Sequence, residues 1–410
     1  VRLQLKQTRR RVAALLAVLA VLGAALAAPS ASAETGGVGE APGAGAGNTP
    51  FDRQGMWIWY VSHSERGNVA AIIARAKRSR IGTVYVKSGD GGSTWSQFNR
   101  SLVSALHKGG LEVCAWQFVY GDHPAAEAQV GATSVGRGAD CLVIDAEGQY
   151  EGKYASADIY IRRLRAAIGE NFPLSLAGFP YVDYHPGYPY SVFFGPGGAT
   201  VSQPQMYWKT IGTSVKTVFE HTYLYNRIWG VPIYPLGQTY EAPGNAQLQL
   251  FRRFCATYGN LQPSWWSWQE TSPKEWQALA STRGRRPLTR FRQSFAQPML
   301  KLGSRGDMVV WAQEHLVTAG EEIAVNGIFG KATRGAVRRF QEDHGLFVDG
   351  QVGTATWRAL LRFAPTPVNW AAGSRARASS SSAGRRAPPS APLSASLPAK
   401  GYEIDPGSAP

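Results

Sequence analysis

The sequence predicts an α/β fold, a (β/α)8 TIM-like barrel followed by a small all-α domain. Three observations predict it. Between Met56 and about Ala280, eight short apolar runs alternate with stretches whose apolar residues recur at helical spacing. Strands alternating with helices over roughly 230 residues are the pattern of a closed parallel barrel. Beyond an Arg-rich stretch, one short motif then occurs twice, at Val325–Val337 and Val348–Leu360.

The eight expected strands are Met56–Val61, Gly82–Lys87, Leu111–Phe118, Cys141–Glu147, Pro173–Phe179, Gln203–Trp208, Val231–Gln238 and Pro263–Gln269. NVAAIIARAKRS, SLVSALHKGG, ADIYIRRLRAAIG and NAQLQLFRRFCATYG lie between them as helices. The fifth and sixth units are irregular, because VDYHPGYPYSVFFGPGGA holds too much Pro and Gly for a clean helix. An open doubly wound sheet is the rival architecture, but no Gly-rich phosphate loop follows the first strand.

The repeated motif reads V-(N/D)-G-x-x-G-x-x-T-x-x-A-(V/L). Asn or Asp followed by Gly makes a tight turn, since Gly accepts φ > 0 without steric cost. Thr333 and Thr356 are expected as helix N-caps, and Gly345–Leu346 as the C-cap of the helix between the copies. With LKLGSRGDMVVWAQEHL before the first copy, FQEDHGL between the copies and TWRAL at the end, Leu300–Leu361 resembles the small three-helix peptidoglycan-binding module of bacterial cell-wall enzymes. The resemblance implies cell-wall glycan, or its stem peptide, as the partner.

Composition and charge bound the rest. Residues 1–33 read as a signal peptide: a basic start at Arg2, Lys6 and Arg9–Arg11, the apolar run VAALLAVLAVLGAALAA, and Ala31-Ser32-Ala33 as a cleavage site. No second apolar run is long enough to span a membrane, so the expected location is outside the cell, on the wall. Residues 34–53 read as a flexible leader, 54–282 as the barrel, 283–298 as an Arg-rich linker, 299–363 as the binding domain and 364–410 as a disordered Ala/Ser/Pro/Arg tail. The formal net charge is +15, concentrated in the signal peptide, linker and tail. Those basic runs lack the aromatic interleaving of a nucleic-acid face, so anionic wall polymers are the expected counter-charge. Cys114, Cys141 and Cys255 are far apart and form no disulfide framework or zinc pattern; all three read as buried thiols. His63, His123 and His185 follow strands without metal-ligand spacing, and no cofactor is expected.

The candidate catalytic residues sit in CLVIDAEGQY. Residues two apart point to the same side of a strand, roughly 6–7 Å apart along it. Asp145 and Glu147 would therefore share the mouth at the C-terminal end of the fourth strand, where like charge and burial raise one carboxyl pKa. Glu147 is the expected general acid. Asp145 would stabilise positive charge or orient a substrate N-acetyl group.

Here the barrel resembles lysozyme-like and chitinase-like glycoside hydrolases, which carry Asp-x-Glu at this place. The resemblance implies that Tyr207, in QMYW, contacts the substrate amide, and Gln205 in the same run is a substrate-binding candidate. It also implies that Trp268, beside Gln269 in WWSWQ, stacks under a pyranose ring. Gln238 and Tyr240, which follow the seventh strand, are further binding candidates. Trp57 and Trp59 read as packing residues. The sequence departs from both groups in lacking an Asp at the end of the first strand and aspartates upstream of Asp145, where Leu142, Val143 and Ile144 stand. Asp90, Asp122 and Asp183 each follow a strand and could supply a third carboxylate, and Asp90 is also a substrate-binding candidate. The leading expectation is hydrolysis of a β-1,4 bond in an N-acetylated glycan. The alternatives are a barrel that binds glycan without cleaving it and a structural wall protein.

Overall fold

The computed structural model describes residues 49–259 and 262–372, all within one compact unit. The expected signal peptide, most of the leader and the tail beyond residue 372 lie outside the described residues.

Eight parallel strands form the barrel: β1 Gly55–Ile58, β2 Thr83–Asp90, β3 Glu112–Val119, β4 Cys141–Ala146, β5 Leu174–Ala177, β6 Val201–Ser202, β7 Leu236–Gln238 and β8 Ser264–Trp266. Each pairs with the next from β1 to β6, and β7 pairs with β8, which pairs with β1. Parallel bridges Ser202–Ile233 and Gln205–Leu236 close the ring. The sixth strand is far shorter than its sequence suggests. After the Gln205 bridge the chain turns at once into α6 (Trp208–Ile211), because Pro204 interrupts the ladder and Trp208 opens a helix.

The helices α1 (Val69–Arg78), α2 (Arg100–Lys108), α3 (Pro124–Gly136), α4 (Tyr154–Ile168), α5 (Tyr190–Phe193), α7 (Val215–Asn226), α8 (Gly244–Thr257) and α9 (Pro273–Ala280) surround the barrel. Asn68, Asn99 and Ser214 cap α1, α2 and α7 with side-chain oxygens, satisfying N–H groups that a helix start leaves unpaired. Strand alternation divides the core in two. Met56, Ile58, Val84, Val86, Leu142 and Ile144 face the helices. Trp57, Tyr85, Cys114, Trp116, Cys141 and Val143 fill the barrel interior.

The cysteine expectation needs correction. Cys114 and Cys141 form a disulfide, with Cα atoms 4.6 Å apart. They are direct register partners on β3 and β4 and both point inward, which spacing in the sequence cannot reveal. Cys255 is a free, buried thiol.

Three helices make the C-terminal domain: α10 (Asp307–Thr318), α11 (Lys331–Asp343) and α12 (Thr354–Leu360). Gly327 and Gly350 have φ of 69° and 70°, as the doubled turn requires. The Thr residues are not the caps. α11 and α12 begin at Lys331 and Thr354, after Gly330 and Gly353, so Thr333 and Thr356 lie inside the first turn. There each hydroxyl takes a bond from a buried glutamine, Gln313 at 3.0 Å and Gln341 at 3.1 Å. The same glutamine oxygens accept the N–H of Gly327 (2.9 Å) and Gly350 (2.8 Å). The repeat is thus a pair of turns, each braced by a glutamine from the preceding helix.

Parts of three segments expected as loose are packed at the barrel. In the linker, Phe291 packs edge-on against Phe254, and the Leu288 N–H bonds Thr257 Oγ1 at 2.8 Å. Arg283, Arg285, Arg286, Arg290 and Arg292 remain exposed. At the start of the tail, Trp370 lies against Tyr154, and the Ala371 N–H reaches Asp158 Oδ2 at 3.1 Å. At the end of the leader, Phe51 is buried in the barrel interior.

Candidate active site

The C-terminal ends of the strands open into a cavity of about 250 Å³. Its walls include Trp57, Trp59, Trp116, Phe118, Tyr120, Tyr207 and Trp266, and its charged groups are Lys87, Asp90, Asp145 and Glu147. Register explains how they meet. Lys87, Trp116 and Val143 form one row across β2, β3 and β4; Asp90, Phe118 and Asp145 form the row above it. A register shift between Lys87 and Gly89 lets Lys87 and Asp90, three residues apart, both join the cavity wall. Gly89 is required there, because a Cβ would stand 2.3 Å from Val130 Cγ1 on α3.

Asp145 is 6% exposed and Glu147, one pleat nearer the mouth, is half-buried. One amide nitrogen holds both: Gln205 Nε2 donates to Asp145 Oδ1 at 3.1 Å and to Glu147 Oε1 at 3.0 Å. The two carboxylates therefore lie within two hydrogen-bond lengths of each other. Burial, then the charges of Glu147 and Asp90, push the Asp145 carboxyl well above its usual range, with Lys87 opposing. Burial also raises Glu147, against the Gln205 amide and His185. A pair pressed in this way titrates as a unit and retains a proton where a free carboxylate would have lost it.

Asp90, one of three candidates for a third carboxylate, joins this cavity. Its oxygens bind Lys87 Nζ at 2.6 Å and accept the Tyr120 hydroxyl at 2.9 Å. Burial, followed by the bond to Asp90, pushes that phenol up to about 12. Asp122 instead pairs with Lys153 and Asp183 with His221. Lys87 itself, 2% exposed, was not singled out from sequence. Its ammonium lies 4.5–5.0 Å from the ring centroids of Trp59, Trp95 and Trp116, a cation–π enclosure that offsets its desolvation. A lysine inside the apolar run TVYVKSGD was the available signal, because lysine is rarely buried without a partner.

The remaining candidates divide. Tyr207 lines the cavity, and burial raises its hydroxyl. Trp59 also lines it and is more than a packing residue. Trp268 does not form its floor. Trp268 turns outward to pack edge-on against Trp276, and Trp266 occupies the cavity wall instead. Gln269 braces the mouth from behind, donating to Tyr60 O at 3.2 Å and accepting the Trp59 N–H at 3.4 Å. Gln238 is fully buried and accepts the Lys209 N–H at 2.7 Å, so it shapes a loop. Tyr240 stands one layer out, edge-on to Tyr207 with centroids 5.6 Å apart. Among the described residues, no group of three or more His, Cys, Asp or Glu could hold a metal ion, and no helix is long and apolar enough to cross a membrane.

Residues 305–360 match the family described as "Putative peptidoglycan binding domain". A zinc D-Ala-D-Ala carboxypeptidase from Streptomyces albus G is 38% identical over 77 residues, 17% of this chain and 30% of that protein. Among solved structures, a peptidoglycan-binding protein from Clostridioides difficile aligns at 36% identity over 15% of this chain and 40% of its own, with a TM-score of 0.15. A protein from Streptomyces coelicolor named "putative Chitinase A" aligns over 58% of this chain and 98% of its own, at 14% identity and a TM-score of 0.43. The chain thus spans about 30% of the length of the curated relative it matches, and its C-terminal domain is similar to peptidoglycan-binding domains.

Proposed function

We propose that the protein is a secreted, wall-associated glycoside hydrolase that cleaves a β-1,4 bond of an N-acetylated glycan, with peptidoglycan as its substrate. The observation that carries this reading is the Asp145–Glu147 pair, joined by Gln205 at the foot of an aromatic-walled cavity. Glu147, nearer the mouth, donates its proton to the glycosidic oxygen as the bond to the anomeric carbon breaks. Asp145, deeper and beside Lys87, either balances the positive charge on the ring or accepts the N–H of the substrate acetamido group. In the second case the acetamido carbonyl oxygen bonds to the anomeric carbon, and water later displaces it while Glu147 takes back a proton. Trp59, Trp116 and Trp266 offer apolar faces to a sugar ring. A cavity of about 250 Å³ sits just below the roughly 300–1,000 Å³ typical of small-ligand sites, which suits a single ring.

Peptidoglycan is favoured over other N-acetylated glycans by the match of residues 305–360 and by the names of the proteins that share it. The Cys114–Cys141 disulfide supports export, since such bonds persist in oxidising compartments. The exposed linker arginines supply positive charge for anionic wall polymers.

A non-catalytic glycan binder is the second reading. One observation favours it: the Gln205 amide already donates to an oxygen of each carboxylate. Purified peptidoglycan separates the two readings. Wild type is expected to release reducing ends and Glu147→Gln to release none while still binding. A wild type that releases none, or an active Glu147→Gln, sinks the hydrolase reading.

A further inference from the structure

Helix α10 is buried nearly all round, from Val309 through Leu316. A helix with no solvent face packs on two partners at once. One partner is the rest of its own domain. The other is the barrel, at the loop between β5 and α5.

That loop is held from both sides. On the domain side, the Asp307 N–H donates to Pro186 O at 2.7 Å. The Asp307 carboxylate accepts the Ser191 N–H at 2.8 Å and the Ser191 hydroxyl at 2.6 Å. Gly306, at φ 103°, permits this approach, because a Cβ there would lie 2.5 Å from Pro186 O. One turn along, Trp311 Nε1 donates to Ile228 O at 2.6 Å and its ring meets Trp229 edge-on, while Trp229 in turn stacks on Tyr190 of the loop with centroids 5.3 Å apart. On the barrel side, the same loop holds the segment that carries the carboxylates. Tyr188 donates its hydroxyl to Ala146 O at 3.0 Å, between Asp145 and Glu147. Gly187 O accepts the Gly152 N–H at 2.8 Å, and His185 Nδ1 meets Glu151 Oε1 at 3.0 Å.

We propose that the C-terminal domain is a docked buttress of the barrel, and that Asp307 and Trp311 act through the 185–191 loop as positioning residues for Asp145 and Glu147. A tether would raise activity only by concentrating the barrel on an insoluble wall. A buttress also acts on soluble substrate, because it sets the geometry of the carboxylates. The docking stands on its own contacts; its effect on hydrolysis rests on the function proposed above.

The test uses full-length Asp307→Asn and Trp311→Phe, read by amide hydrogen exchange and by turnover of a soluble oligomer of the peptidoglycan glycan strand. Each variant loses a buried bond, so exchange at Gly152 and Ser191 is expected to speed up roughly tenfold or more. Amides within α11 and α12 should keep their protection, and retention on insoluble peptidoglycan should be unchanged. The turnover number on the soluble oligomer should fall by a similar factor, with a smaller change in KM. Unchanged exchange at Gly152 in both variants overturns the buttress. So does normal turnover on the soluble oligomer alongside faster exchange. If wild type itself does not turn over the oligomer, the hydrolase reading fails there, while the Gly152 amide still decides the docking. Should Asp307→Asn unfold the domain, as lost α11 protection would show, Trp311→Phe carries the decision.

Discussion

Glu314→Gln is expected to stabilise this protein at neutral pH, an unusual outcome for removing a charge. Glu314 lies on the docked helix α10, 3% exposed, with Oε2 buried and lacking any hydrogen-bond partner. Burial, reinforced by the charge of Asp307, pushes its carboxyl from 4.5 up to about 9. In the unfolded chain the group ionises near 4.5, whereas in the folded protein it stays protonated up to about 9. Folding therefore takes up a proton across that window, and its stabilising contribution, complete below pH 4.5, fades as pH rises. Each unit of pH costs about 1.4 kcal/mol, so by pH 7 the cost is about 3 kcal/mol. Glutamine keeps the shape and has no proton to take up. Urea unfolding at pH 4.5 and pH 7 measures the effect. The variant should match wild type at the lower pH and exceed it by about 3 kcal/mol at the higher. A variant no more stable than wild type at pH 7, or one stabilised equally at both, would refute this account of the buried acid.

Three further outcomes follow from other parts of the molecule. Replacing both Cys114 and Cys141 by Ala should cost about 3–4 kcal/mol of unfolding free energy, the loop-closure value for a sequence separation of 27; chemical denaturation under oxidising conditions reads it. Gly306→Ala should lower the midpoint of thermal unfolding, since the new methyl meets the Pro186 carbonyl and the residue is held at φ 103°; an unchanged midpoint would show that the docked loop yields freely. Lys87→Met removes the cation that opposes the rise of Asp145, so carboxyl-detected NMR should find that group titrating at still higher pH than in wild type.

How much of this was legible beforehand depends on whether a feature is local. Strand and helix alternation, the Gly turns at Gly327 and Gly350, and the inward phase shared by Asp145 and Glu147 follow from backbone sterics and the two-residue period of a strand. Those rules act within a few residues, so a sequence displays them. The placement of Trp268 was misjudged because β8 ends at Trp266 and the alternation that would have carried Trp268 inward ends with it. Asp90 could not be chosen over Asp122 and Asp183, because a register shift in β2 decides it.

The sequence by itself determined a barrel of eight strands, a three-helix domain built on a repeated turn, and a carboxylate pair at one strand end. Tertiary structure alone decided the rest. It made register partners of Cys114 and Cys141, set Lys87 among three indoles, and hung two carboxylates on the amide of Gln205. It also turned the C-terminal domain from a tethered neighbour into a packed one, through Asp307 and Trp311. Most of these contacts join residues far apart in the chain, by as many as 116 positions between Asp307 and Ser191. Periodicity records which way a residue faces, and only the closed fold records what it meets.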